Sequence, residues 1–298
     1  MRVALAGSTG LIGHAVAAAL AAAGHAIVPV GRGEGQAVHF DLAADRRLAG
    51  GALAGCEALV HAAGVTDEDF RDRERAFAKA FAGTEALALA AREAGVGRLV
   101  YVSSAHVYGP LEGRLDEGSA PNPLSDYAIA HFAAEQILRR AALASGAAAL
   151  FLRPCAVFGA PPSLARFARW SLIPFDFPRQ ALAGRIVLKS PGLQRRNFVA
   201  ADALAALVAR WLAGPAKGVE VANAPGPDEM AVYDFARLCA GIAREEGGRE
   251  CAIERPEPAG AAPAPLEYRS RSGPAPAGTS LEDHVRGLVR ALAKKAPP

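Results

Sequence analysis

The chain has 298 residues, 51% of them hydrophobic, and its 33 Lys and Arg against 30 Asp and Glu give a formal charge of +3. Such a chain is long and apolar enough to bury a large core, which excludes a disordered protein. Its basic residues are dispersed, which points to no nucleic-acid partner, and no run of about 18 uncharged apolar residues supports a membrane span.

Residues 2–6 form a short apolar run that reads as a strand, and residues 11–23 form an Ala-rich helix that Gly24 stops. Met1-Arg2 and the alanines after it have the outline of a signal peptide. Gly7, Gly10 and Gly13 interrupt that outline, so the strand–turn–helix reading is preferred. Further strands are expected at 26–30, 58–61 and 98–103, with a helix at 77–94 between the last two. After Tyr127 a helix runs to about Ala144, and a buried strand at 148–152 is ended by Arg153-Pro154.

Residues 160–183 are rich in Pro and aromatics, without clear periodicity, and read as an insertion or lid. Trp170, Phe175 and Phe177 there either stack on a base or belong to local core. Short strands at 186–188 and 197–199, helices at 201–212 and 230–245, and a Pro/Ala/Gly-rich loop at 255–278 follow. An amphipathic helix at 280–295 closes the chain, with Ser280 as its cap and Asp283 three residues on. Alternating strands and helices imply a parallel sheet covered on both faces. Cys56, Cys155, Cys239 and Cys251 form no CxxC pair, so no metal is expected, and their usage fits a reduced cytoplasmic protein.

Two features carry chemistry. Gly7-Ser8-Thr9-Gly10-Leu11-Ile12-Gly13 lies between the first strand and the first helix. There a glycine turn lets backbone N–H groups approach a pyrophosphate at a helix N-terminus. The bland alternative is a tight turn with no ligand. No acidic residue follows the second strand until Glu34. Arg32 stands there instead, and its planar fork suits the extra phosphate of NADP, so NADP is preferred over NAD; a solvated loop arginine is the other reading.

Further blocks share one pattern: His61-Ala62-Ala63-Gly64, Gly83-Thr84, Ser103-Ser104-Ala105-His106-Val107-Tyr108-Gly109 and Arg153-Pro154-Cys155-Ala156-Val157-Phe158-Gly159. Gly192 to Val199 with Asp202, and Asn223-Ala224-Pro225-Gly226, complete it. With Tyr127 and His131 four residues apart, the chain resembles the extended short-chain dehydrogenases/reductases, the NAD-dependent epimerase/dehydratase family. The resemblance implies a Rossmann-type doubly wound parallel sheet with a smaller C-terminal substrate-binding subdomain. Residues 1–159 would bind the dinucleotide and 186–224 would return to that domain, leaving 160–185 and 225–298 to the substrate.

The resemblance also implies roles. Ser104, Tyr127 and His131 hold the catalytic positions, with Tyr127 as general acid/base while hydride moves at nicotinamide C4. Gly7, Thr9, Gly10, Leu11, Ile12, Gly13, Arg32, Asp41, Leu42, Ala62, Ala63, Gly64, Tyr127, His131 and Pro154 would line the cofactor. Ser104 and Arg196 would meet a substrate, a nucleotide sugar or a related carbonyl or hydroxyl compound. Helices 77–94 and 127–144 would pair in a homodimer.

The chain departs from this pattern at its centre. His131 stands where the family has a lysine whose charge lowers the tyrosine pKa. A phenol titrates at about 10 and histidine at about 6.5, so a neutral imidazole is a weaker partner. Ala80, Ala156 and Asn197 replace an Asn, an Asn and an Asp of the pattern. Four readings of His131 stand: an altered partner working with His106 or water, a protein that binds cofactor with little turnover, a charge supplied by another residue, or a helix-surface histidine with no role. The whole-protein alternatives are an enzyme, or a cofactor-binding sensor or assembly protein.

Overall fold

Strands made of Val, Leu and Ala, buried on both faces, build the main sheet of the computed structural model, which describes residues 1–215, 217–258 and 264–294. In chain order the strands are β1 (Arg2–Ala6), β2 (Ala26–Gly31), β3 (Val38–His39), β4 (Ala58–His61), β5 (Arg98–Val102), β6 (Gly113–Leu115) and β7 (Ala148–Pro154). They continue with β8 (Ala156–Phe158), β9 (Arg185–Val187), β10 (Arg195–Ala200), β11 (Val219–Ala224), β12 (Asp228–Ala231), β13 (Ala252–Glu254) and β14 (Leu266–Tyr268). The helices are α1 (Leu11–Ala22), α2 (Arg73–Ala78), α3 (Thr84–Glu93), α4 (Asp126–Ser145), α5 (Ile173–Leu182), α6 (Ala201–Ala213), α7 (Val232–Gly247) and α8 (Leu281–Ala293).

Seven strands pair in the order β11-β7-β5-β4-β1-β2-β3, all parallel. This is the expected Rossmann-type doubly wound α/β sheet. Side chains alternate along each strand. Val3 and Leu5 of β1 face Val16 and Leu20 of α1 and Val208 of α6. Ala4 and Ala6 face the core made with Leu87 of α3 and Leu138 of α4. Chain order reverses between β1 and β4, and the strand ends open there into the crevice where such sheets bind ligands.

A second lobe packs α5, α7 and α8 around β8, β10 and β12, with Phe177, Phe198, Phe235 and Val285 at its centre. Of residues 186–224, α6 and β11 lie on the main sheet. β9 pairs instead with β13, and β10 with β8 and β12, because Phe198 and Val199 belong to the second core.

Several elements differ from expectation. The helix expected at 77–94 begins at Arg73 and carries a π-helical turn at Lys79–Gly83. The wide turn sits where the helix backbone meets Leu42: a Cβ on Gly83 would lie 2.2 Å from the Leu42 carbonyl oxygen. Strand β7 continues through Arg153 and Pro154, since β11 extends alongside and Ala224 aligns with Pro154. Residues 160–183 contain α5, whose signal is obscured by Pro174 in its first turn and Pro178 inside it; Phe175 and Phe177 are buried core. The helix expected from Met230 begins at Val232, because residues 228–231 pair with β10 as β12. In α8 the Ser280 hydroxyl caps as expected, accepting from Asp283 N at 3.0 Å. The end of that helix at Lys295, and residues 259–263 of the loop expected at 255–278, lie outside the described residues.

Glu135 of α4 and Arg153 of β7 form a fully buried bidentate pair at 2.9 and 2.6 Å, with the guanidinium 4.8 Å from the Tyr108 ring centroid. Removing one partner strands a buried charge. Glu135→Ala is expected to lower the unfolding free energy by about 3–5 kcal/mol in urea titrations. An unchanged midpoint would mean that water reaches the freed guanidinium.

Candidate active site

The glycine turn follows β1 directly. Gly7 has φ +90°, and a Cβ there would sit 2.8 Å from the backbone of Ala62 and Ala63. A Cβ on Gly13 would lie 2.0 Å from the Gly7 carbonyl oxygen, so α1 runs closer to the turn than any side chain permits. Gly10 caps α1 with no side-chain hydrogen bond, which leaves the first N–H groups of the helix available to an anion.

A cavity of about 530 Å³ opens over this turn. Thr9, Gly10, Leu11, Ile12, Arg32, Asp41, Leu42, Ala62, Ala63, Gly64 and Pro154 line it together with Gly7, Ser104, Tyr127 and His131. Gly13 lies beneath, packed on Gly7. The Ser103 hydroxyl is buried in the cavity wall without a hydrogen-bond partner. The bare helix end, the glycine cradle and this orphaned hydroxyl fit a dinucleotide. At one end Asp41 draws two guanidiniums together: Arg75 at 2.9 Å and the exposed Arg32 at 3.8 Å.

At the other end stands Tyr127, in the first turn of α4, which Ser125 caps by accepting from Ala128 N at 3.2 Å. Burial pushes the Tyr127 phenol above its ordinary value, while the neighbouring Ser104 hydroxyl and the charge of Arg169 pull it down. The Ser104 hydroxyl accepts from His106 N at 3.2 Å and opens the turn 105–108. His106 lies edge-on to Tyr127, with ring centroids 5.9 Å apart. The Cys155 thiol nearby is pushed up by burial, so it stays protonated near neutrality.

His131 lies against Tyr127, with ring centroids 4.5 Å apart and planes tilted by 59°, and is almost wholly buried. Its Nε2 lies 3.2 Å from the Val65 carbonyl, which can only accept, so Nε2 carries the proton. Nδ1 then accepts from the Tyr101 hydroxyl at 2.8 Å. Burial, and then neighbouring cations, lower its pKa to about 3. His131 is therefore a neutral ring at physiological pH with both nitrogens committed. The ring also fills the space over Gly64, where a Cβ would meet its Cε1 at 2.7 Å.

A second cavity, of about 550 Å³, adjoins the first; Tyr127, Cys155, Val157, Arg169 and Leu172 line both. Arg196 lines this second space with His106, Asp67 and Gln194, and one of its terminal nitrogens donates to the Arg195 carbonyl at 2.8 Å. Ala156 lies in the same wall, and Ala80 packs with Val65 and Ala130 near Tyr127. Asn197 is buried away from both cavities. It clamps Gly226 by donating to its carbonyl at 3.1 Å and accepting from its N–H at 2.8 Å, a pairing that an aspartate could only half make. Trp170 packs edge-on against Phe167.

The family model for the NAD dependent epimerase/dehydratase family matches residues 3–224. The chain belongs to the NAD dependent epimerase/dehydratase family. As a member of this family it is 29% identical over 174 residues to a dTDP-D-glucose 4,6-dehydratase of Mus musculus, a match covering 55% of this chain and 44% of that protein. The chain thus matches less than half the length of this curated relative. Solved structures share its fold at low identity. MoeE5 in complex with UDP-glucuronic acid and NAD is 19% identical with a TM-score of 0.79, over 99% of this chain and 100% of that one. UDP-glucose 4-epimerase of Thermotoga maritima with UDP-glucose is 19% identical with a TM-score of 0.76, over 99% of both chains. RMD from Pseudomonas aeruginosa complexed with NADPH is 20% identical with a TM-score of 0.75, over 99% and 100%.

Sequence reading passed over Arg75, Lys79 and Arg169, and named Ser103 only within a family block without giving it a role; all four line the first cavity. None falls in a glycine motif, and Arg169 lies in the stretch without periodicity. Lys79 is paired with Asp69 at 2.9 Å, and its charge helps depress His61 and His131. Among the described residues no helix is long and apolar enough to cross a membrane, and no group of three or more His, Cys, Asp and Glu gathers as metal ligands do.

The buried imidazole has a consequence for stability. Its folded pKa of about 3 lies below the ordinary 6.5, so the unfolded chain takes up a proton that the folded chain refuses. The stability this contributes is present above pH 6.5 and is lost as pH falls toward 3. His131→Gln should flatten the fall of unfolding free energy below pH 6.5 by up to about 1.4 kcal/mol per pH unit, read from urea curves at several pH values. Equal slopes in the two proteins would show that His131 titrates normally in the fold.

Proposed function

We propose that this protein is an NAD(P)-dependent oxidoreductase of the epimerase/dehydratase type, acting on a hydroxyl or carbonyl of a nucleotide sugar. The observation that carries the reading is the position of Tyr127, in the wall common to the glycine-cradled cavity and the cavity that holds Arg196. A phenol at that junction meets both a dinucleotide and a second ligand. The family membership, and the UDP-sugars and nicotinamide dinucleotides in the titles of structures sharing the fold, support it.

The glycine turn and the α1 N-terminus hold the pyrophosphate, and Ser103 meets the cofactor from the cavity wall. A bound nicotinamide would supply hydride exchange at its C4. Ser104 orients the substrate oxygen. Tyr127, protonated near neutrality because burial raises its pKa, donates a proton to that oxygen on reduction and takes it back on oxidation. His131 acts without charge: hydrogen-bonded to Tyr101 and Val65, it holds the Gly64 turn and the Tyr127 helix together. Arg196 meets the substrate phosphates. The exposed Phe81, Ile129 and Leu143 lie on the helices through which we place a homodimer. We place the protein in the cytoplasm, where its four free cysteines would stay reduced.

The cofactor is NADP in preference to NAD, with Arg32 and Arg75 jointly meeting the extra phosphate beside Asp41. Arg32→Ala and Arg75→Ala should each weaken NADPH binding by about 1.5–3 kcal/mol, roughly ten- to a hundredfold, and leave NADH binding unchanged. Equal losses for both cofactors in calorimetric titrations would refute the preference. Tyr127→Phe should bind NADPH as the wild type does and lose turnover on a panel of nucleotide sugars by at least about a hundredfold. Turnover that survives this substitution would refute the mechanism.

A further inference from the structure

The family pattern places a permanent cation one helical turn after the tyrosine, and this chain places a neutral ring there. Four cationic side chains line the first cavity: Arg32, Arg75, Lys79 and Arg169. Arg32 and Arg75 gather on Asp41 at the far end. Lys79 is held by Asp69, which a hydrogen bond from Thr66 N at 2.7 Å fixes in turn, and it faces the two imidazoles. Arg169 alone among the four also lines the second cavity, as Tyr127 does.

We infer that Arg169, carried by the segment between β8 and α5, supplies the fixed positive charge that the Tyr127 phenol does not receive from residue 131. Its Nε lies 3.1 Å from Glu68 Oε2, yet both atoms are buried without an aligned hydrogen bond, and the other Glu68 oxygen is taken by Ser171. The guanidinium is thus held at the seam by charge alone. Its terminal nitrogens make no hydrogen bond among the described residues. A guanidinium stays protonated throughout the working range of an enzyme.

The other groups facing Tyr127 cannot do this. Ser104 is neutral, His106 is pushed down by burial and by Arg196, and His131 is neutral. Asp67 and Cys155 act in the opposite direction. Arg169 is the cation that favours the phenolate.

The charge has therefore moved from α4 to a segment anchored in the second lobe, where Phe167 packs on Phe175 with ring centroids 4.4 Å apart. Arg169 thus offsets part of the rise that burial imposes on the Tyr127 phenol. Arg169 is on this view a positioning residue acting through Tyr127. Its effect on turnover rests on the reaction proposed above; its effect on the phenol does not.

The test reads the phenol directly. The five tyrosines are replaced by a ring-fluorinated analogue, whose phenol is more acidic, and followed by fluorine NMR against pH, with Tyr127→Phe assigning the resonance. Arg169→Gln should raise the titration of Tyr127 by about one pH unit or more. Arg169→Lys should hold it near the wild-type value, and Lys79→Met should leave it in place. Glu68→Gln keeps the arginine and should move the titration the other way, which provides a readout if Arg169→Gln does not fold.

An unmoved Tyr127 in folded Arg169→Gln, or a larger movement in Lys79→Met, would overturn the inference. So would no movement in Glu68→Gln if that is the only variant to fold. Because no cofactor or substrate is present, a titration that moves in a protein without turnover refutes the reaction and keeps the arginine. A titration that does not move in a protein with turnover does the reverse.

Discussion

Helix α4 buries His131 and Glu135 one turn apart on its inner face, and each has to be satisfied by the sheet before Tyr127 can be placed. His131 meets Tyr101 of β5 and the chain after β4, and Glu135 meets Arg153 of β7. Unpaired, either group would cost the fold several kcal/mol. Their pairing fixes the rotation and height of the helix, and Tyr127, one turn before His131, inherits its position at the junction of the two cavities. The apolar residues Leu138 and Ala142 continue the same face into the core.

This arrangement explains what a histidine does at a position associated with lysine. A lysine there would carry its charge into the cavity. The imidazole turns inward, spends both nitrogens on protein groups and gives up its charge to burial. The helix is tied to β5 and to the chain after β4 by these two bonds, and residue 131 gives the phenol no charge. The nearest elements able to supply it are α2 with its π-helical turn, which carries Lys79, and the segment before α5, which carries Arg169. Electrostatics at this site is therefore a property of three chain segments folded over one another, not of one helical turn.

The remaining departures from the family pattern divide in the same way. Asn197 is structural: its amide both donates to and accepts from Gly226, fastening β10 to the chain after β11. Ala156 lies in the wall of the second cavity, which Arg196 also lines, whereas Ala80 is buried with Val65 and Ala130 and lines neither cavity. Of these departures only Ala156 lies in a cavity wall.

Through its resemblance to the family the sequence pointed to Ser104; by itself it determined the glycine turn, most of the strands and helices in the first half of the chain, and the placing of Tyr127 and His131 one turn apart on a helix. These are local properties: a glycine where no Cβ fits, an alternation of apolar residues, a spacing along one helix. The tertiary structure decided the rest. The charge state of His131 depends on burial against Tyr101 and Val65, each distant in sequence. α5 was hidden because its two prolines break the pattern that would reveal it, although packing on α7 and α8 tolerates both. The convergence of Arg32 with Arg75, and of Arg169 with Tyr127, arises from contacts between residues tens of positions apart, and no spacing along the chain encodes such contacts.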